Sequence, residues 1–283
     1  MRRLLIILGI LLFPITACAQ DPMDHMSHMV QSGNTTVQQD WARAKLEKST
    51  RHGEWVKVKN GDRVVNCWVV YPEVKGKATA MLVIHEIFGM SDWVREMTDE
   101  IAAAGFVAIA PDLLSGMGPN GGGTESFDSG AVGRAISQLP PDQITGDLNA
   151  AADYISKVPA ANGKLAVAGF CWGGGQTFRF ATNRASLKAA FVFYGPPPDK
   201  SAMAKIMAPV YGFYAGTDGR IDQTIPDTIE AMKAAGKTYD PVTYEGAGHG
   251  FMRLAEDPNN KTEANKTARD QAWAKMIGIM KKL

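Results

Sequence analysis

The sequence predicts an α/β fold, a mostly parallel sheet with an antiparallel start and helices on both faces. Three observations carry this expectation. Short continuous apolar runs, such as residues 80–85, 106–110 and 164–170, have the length and composition of strands buried on both faces. Segments of helical length alternate with them, the rhythm of strand–helix–strand units. An Asn60-Gly61-Asp62 turn between two β-rich runs marks a hairpin before the alternation begins.

Taken in order, residues 54–59 and 64–71 are the hairpin strands. Residues 80–85 form a buried strand, 92–104 a helix closed by Gly105, and 106–110 a strand stopped by Pro111. Residues 142–157 then read as helix, 164–170 as strand, 174–183 as helix, and 189–194 and 210–214 as strands. A helix at 225–235, a strand at 241–244 and a terminal helix at 262–282 complete the pattern. Residues 113–131 are rich in Gly, Ser and Asn, hold Gly121-Gly122-Gly123, and show no period. Following a strand's carboxyl end, they are expected to form a mobile surface loop and a candidate lid.

With 283 residues, 45% hydrophobic and 21% charged, the chain can bury one full core, so a single large domain at 51–283 is expected. Thirty basic and 29 acidic residues leave a net charge of +1, which argues against a nucleic-acid partner. Residues 1–19 read as a secretory signal. Arg2 and Arg3 precede an apolar run over 4–13 that is too short to span a bilayer as a conventional helix, and Ala17, Cys18 and Ala19 follow it. Two processing routes fit. Cleavage at the small-x-small pattern releases a soluble protein, whereas Ile15-Thr16-Ala17-Cys18 resembles a lipobox that would anchor the chain to a membrane through Cys18. Either route implies export to the periplasm or cell envelope.

Residues 20–50 are expected to be a flexible linker. The Asp24-His25-Met26-Ser27-His28-Met29 cluster offers imidazole and thioether groups that suit copper, but a flexible tail gives them no fixed geometry, and no metal or cofactor is assigned. Three cysteines, Cys18, Cys67 and Cys171, make no disulfide framework.

Cys171 has a chemical context instead. Residues 165–175 have the form strand, Gly169-Phe170-Cys171-Trp172-Gly173, helix, which is a nucleophile elbow with cysteine at its apex. The two glycines allow strand and helix to approach closely, and the N-terminus of the following helix suits an anionic nucleophile. A nucleophile of this kind needs a base and an acid that orients it, later in the chain and in the order acid, then histidine. Asp218 follows the strand at 210–214, and His249 lies in the glycine-rich stretch Gly246-Ala247-Gly248-His249-Gly250. Asp222 is a rival acid further from the strand end.

Four segments together resemble the signatures of the dienelactone hydrolase family of α/β-hydrolases. They are His85-Glu86-Ile87-Phe88-Gly89, Ala110-Pro111-Asp112-Leu113, Gly169-Phe170-Cys171-Trp172-Gly173-Gly174 and Gly248-His249-Gly250-Phe251, and the resemblance runs from about residue 54 onward. It implies that Glu86 sits beside the nucleophile and helps to generate the thiolate when substrate binds. It implies that the backbone N–H groups of Ile87 and Trp172 form the oxyanion hole, and that Arg253 binds a substrate carboxylate. The family's second arginine, expected after Pro-Asp-Leu, is replaced by Leu114-Ser115-Gly116-Met117.

A thiolate leaves a tetrahedral intermediate more readily than an ordinary alkoxide, so unactivated esters would collapse backward while enol-type leaving groups depart. A small lactone or activated ester is therefore the expected substrate. Thioesterase or peptidase activity on the same fold is the alternative enzyme reading. A non-catalytic envelope binding protein with a metal-gathering tail is the alternative of another class.

Overall fold

The computed structural model describes residues 38–283. The signal segment, Cys18 and the His/Met cluster at 24–29 lie outside the described residues. Strands β1 (Gly53–Asn60) and β2 (Arg63–Val70) form the antiparallel hairpin. Its turn needs Gly61, whose φ is 59°. Strand β2 runs antiparallel to β4 (Val107–Pro111), and all later pairings are parallel. With β3 (Ala78–Ile84), β5 (Ala161–Phe170), β6 (Ala189–Phe193), β7 (Val210–Ala215) and β8 (Tyr239–Tyr244), the sheet has eight strands in the order β1-β2-β4-β3-β5-β6-β7-β8.

The helices are α1 (Asp40–Leu46), α2 (Asp92–Ala103), α3 (Ser129–Ser137), α4 (Pro141–Lys157), α5 (Trp172–Ala181), α6 (Gly219–Asp222), α7 (Ile225–Ala234), α8 (Phe251–Leu254) and α9 (Glu263–Met280). Alternation along each strand divides the apolar residues between two cores. Ala80, Leu82 and Ile84 of β3 pack with Leu148 and Ile155 of α4 and Phe178 of α5. Met81 and Val83 face the other way, toward Trp93 and Met97 of α2 and Met276 of α9. Every residue of β3 is consequently buried, which is why its sequence reads as an unbroken apolar run. Pro241 is tolerated inside β8 because β8 is an edge strand.

Three expectations need correction. Residues 40–46 are not part of a flexible tail, because they form α1, which packs on α2. Ala42 is wholly buried in the α2 and α9 core, and Gln39 donates its N–H to Asp92 at 2.9 Å. A seven-residue helix is too short to show a convincing period, so its stability comes from these tertiary contacts. Nor is 113–131 a free loop. Asp112 accepts the Thr124 N–H at 2.8 Å and its hydroxyl at 2.6 Å, pinning the middle of the segment, and α3 begins at residue 129. The helix after the elbow also starts at Trp172 rather than 174. Glycine's poor helix propensity at 173–175 hides that start in the sequence.

Candidate active site

Strand β5 delivers Cys171 at the carboxyl edge of the parallel sheet, and α5 begins immediately after it. The Cys171 backbone sits at φ 57° and ψ −119°, a conformation that costs a non-glycine residue roughly 1–3 kcal/mol. Neighbours hold it there. Its N–H donates to Phe193 at 3.1 Å, and its carbonyl accepts the N–H groups of Gly174 and Gly175 at 3.0 and 3.3 Å. The flanking glycines are steric requirements. A Cβ on Gly169 would lie 2.2 Å from the Gly173 carbonyl oxygen, and one on Gly173 would lie 2.3 Å from that of His85. Both described cysteines are free thiols. Cys171 is partly exposed, whereas Cys67 is wholly buried, and burial followed by the charges of Asp147 and Asp112 pushes its thiol well up.

Asp218 stands three residues beyond the end of β7 and His249 in the loop after β8. The two loops are tied together, since Thr217 donates both its N–H and its hydroxyl to the Ala247 carbonyl at 3.1 and 2.9 Å. His249 Nδ1 meets Asp218 Oδ2 at 2.5 Å, and because a carboxylate only accepts, the proton lies on the Nδ1 side. Burial disfavours a charged His249. Hydrogen bonds to Asp218 and Cys171, with the charges of both, outweigh it and push the imidazole up to about 10. Burial likewise opposes ionisation of Asp218, but its hydrogen bond to His249 and that residue's charge hold it below the usual value. Asp222, the rival acid, has a buried oxygen without a partner among the described residues, and burial and then Asp218 raise its carboxyl.

Glu86 follows β3 and is almost wholly buried. Its carboxylate accepts Arg253 Nε at 2.7 Å, and the guanidinium lies 5.1 Å from the Phe88 ring centre. His85 donates from Nδ1 to the Glu86 carbonyl at 2.8 Å and stacks on Trp172, ring centres 5.5 Å apart, joining the Glu86 loop to the elbow. Among the described residues, neither the Ile87 nor the Trp172 N–H donates to a backbone carbonyl in the loop and cap hydrogen bonds. Where a second arginine was expected, Ser115 accepts the Asn66 N–H and donates to the Asp112 carbonyl, so the stretch serves the loop.

Tyr194 was not identified from the sequence. It follows β6 at φ 40°, lies edge-on to His249 with ring centres 5.0 Å apart, and its buried hydroxyl has no partner among the described residues. Burial first, then the charge of Glu86, raises that hydroxyl well above its ordinary value. No local signal marks it, because only the sheet brings the end of β6 beside the histidine loop.

Two other features do not belong to this constellation. A cavity of about 820 Å³ is lined by Arg43, Trp55, Asp92, Asp112 and Phe127, and by none of Cys171, Asp218 or His249. Glu96, Glu100 and Glu256 bring carboxylate oxygens within 4.8 Å of one another, but Lys45 and Arg269 already pair with them, making an ion-pair hub.

The Dienelactone hydrolase family model matches residues 65–283, most of the chain. The protein belongs to the dienelactone hydrolase family. Relatives named "Putative carboxymethylenebutenolidase" include one from Methylorubrum extorquens, 31% identical over 238 residues, covering 79% of this chain and 81% of that protein. Another, from Salmonella typhi, is 32% identical over 215 residues, covering 71% and 76%. The solved structure of a "Putative Dienelactone Hydrolase" from Klebsiella pneumoniae superposes with a TM-score of 0.72 at 24% identity, covering 83% of this chain and all of that one. A dienelactone hydrolase-like promiscuous phosphotriesterase from metagenomic libraries gives 0.71 at 22%, covering 83% and 99%. At such identities the superpositions establish the α/β-hydrolase fold alone. Family membership makes this dienelactone hydrolase family protein a hydrolase of small molecules.

Proposed function

We propose that the protein hydrolyses a lactone or activated ester that carries a carboxylate, with Cys171 as nucleophile, His249 as proton carrier and Asp218 as the group that orients it. The observation that carries this reading is the imidazole of His249. It is hydrogen-bonded to Asp218 at 2.5 Å, and Cys171, at the strained apex of the elbow, is among the groups that raise it. An imidazole raised this far takes up the thiol proton and keeps it as imidazolium until pH nears 10. The thiolate attacks the acyl carbon, and the N–H groups of Ile87 and Trp172 receive the oxyanion. Collapse breaks the acyl–oxygen bond, and the leaving oxygen takes the proton from His249. Water then gives a proton to His249 and attacks the thioester, releasing the acid and regenerating Cys171.

Arg253 is the cation for the substrate carboxylate, and in the resting protein Glu86 occupies it. An incoming carboxylate competes with Glu86 for the guanidinium and frees Glu86 to help deprotonate the thiol. The test is selective loss of the nucleophile. Cys171→Ala is expected to fold, to lose hydrolysis of enol-lactones and 4-nitrophenyl esters, and to resist iodoacetamide, while Cys67→Ala keeps most activity. Wild-type turnover by Cys171→Ala, with contaminating esterase excluded, would sink the reading. We also infer export through residues 1–19, with lipidation of Cys18 one of its two routes. Intact mass of the envelope-fraction protein tests it, and a mature chain that retains Met1 rules it out.

A further inference from the structure

Helix α1 lies outside the residues matched by the family model, yet it pairs with residues that follow each member of the Glu86–Arg253 pair in the chain, Asp92 and Glu256. On one side it grips the start of α2, six residues after Glu86. Arg43 pairs with Asp92 at 3.1 Å, Gln39 donates its N–H to the same oxygen, and its side-chain oxygen accepts the Trp93 N–H at 2.8 Å. On the other side Lys45 reaches Glu256 at 2.6 Å, and it also pairs with Glu96 of α2 at 3.3 Å.

Glu256 is continuous with the arginine. The N–H groups of Glu256 and Asp257 both donate to the Arg253 carbonyl, and those of Arg253 and Leu254 donate to Gly250, directly after His249. Residues 250–257 therefore form one hydrogen-bonded set of turns. Arg269 of α9 holds Glu256 from the opposite side and Glu100 beside it. With the Glu256 side chain almost wholly buried, loss of Lys45 leaves its charge poorly compensated.

We infer that α1 is a strap that sets Arg253 against Glu86, with Lys45 as a positioning residue for recognition of a carboxylate-bearing substrate. Arg43 fixes the Glu86 side and Lys45 the Arg253 side, so the short helix spans both halves of one ion pair. The inference rests on the reading of Arg253 as the holder of the substrate carboxylate.

The experiment compares a hemiester, mono-4-nitrophenyl glutarate, with neutral 4-nitrophenyl acetate on the full-length protein. Lys45→Ala is expected to raise KM for the hemiester by roughly tenfold, the scale of a small displacement at a binding group. Its kcat/KM for the neutral ester should stay within about twofold, since the nucleophile and its base are untouched. Lys45→Arg should restore the hemiester KM. An unchanged ratio between the substrates, or an equal loss on both that Lys45→Arg does not rescue, overturns the strap. Should Lys45→Ala fail to fold, Glu256→Gln reads the same contact, keeping shape and removing charge. Arg253→Gln separates the two levels. If it loses the hemiester preference while Lys45→Ala keeps it, the strap alone is wrong. If Arg253→Gln keeps that preference, both fall.

Discussion

Glu86 and Arg253, 167 positions apart in sequence, form an ion pair at 2.7 Å with both side chains largely buried. Breaking a buried pair from one side leaves an uncompensated charge. Replacing both partners removes the desolvation penalty as well. Arg253→Ala is therefore expected to destabilise the fold by about 3–5 kcal/mol in urea denaturation. Glu86→Gln with Arg253→Met should recover most of that stability without restoring hydrolysis. Recovery of both would mean that the pair has no part in catalysis.

Asp218 and Asp222 lie four residues apart, and only Asp218 meets His249. Asp218→Asn should lower kcat by roughly 10³-fold or more through loss of the correct tautomer and of imidazolium stabilisation. Asp222→Asn should leave kcat within about threefold, as expected of a group outside the proton path. Steady-state kinetics on 4-nitrophenyl acetate decide between them, and equal losses would overturn the assignment of the acid.

His249 is raised from 6.5 to about 10. A basic group raised in the folded state contributes its full stability below its unfolded value and loses it as pH rises through the folded one. Melting temperature should thus fall between pH 7 and 10 more steeply in wild type than in His249→Asn. Hydrolysis should persist into alkaline solution and decline only near pH 10, as the imidazolium that protonates the leaving group disappears. In Cys171→Ala the hydrogen bond and negative charge by which Cys171 raises His249 are gone, so NMR titration of His249 should show a lower value than in wild type. An alkaline limb near pH 7 would contradict the proton placement.

Glu96 is raised from 4.5 to about 9, first by burial and then by the charges of Glu256 and Glu100. Its raised value stabilises the fold below pH 4.5, and that contribution is lost as pH climbs toward 9. Glu96→Gln mimics the neutral carboxyl, so it should flatten the decline and raise the melting temperature at pH 9 by about 2–4 °C for each kcal/mol recovered. Differential scanning calorimetry at pH 5 and pH 9 reads this, and a lower melting temperature at pH 9 would refute it.

The elbow around Cys171 was legible because its requirements are local. Gly169 and Gly173 are needed where backbones meet, and a strand and a helix flank them. Strands β3, β4 and β5 were legible because burial on both faces leaves a continuous apolar run. Helix α1 was not, since seven residues carry little period and its anchors, Asp92, Glu96 and Glu256, lie about 50 to 210 positions away. The pinning of 113–131 was hidden for a similar reason, because Thr124 reaches back to Asp112 through a folded turn.

The sequence by itself determined the alternation of strands and helices, the family resemblance, and the residue types at Cys171, Asp218 and His249, all features encoded in short windows by period and backbone sterics. Only the tertiary structure decided that Asp218 and not Asp222 meets His249, that Glu86 and Arg253 are partners, that Tyr194 stands behind the imidazole, and that α1 pairs with both Asp92 and Glu256. Those relationships arise where separate strand ends converge at one edge of the sheet, and distance along a chain carries no information about distance across it.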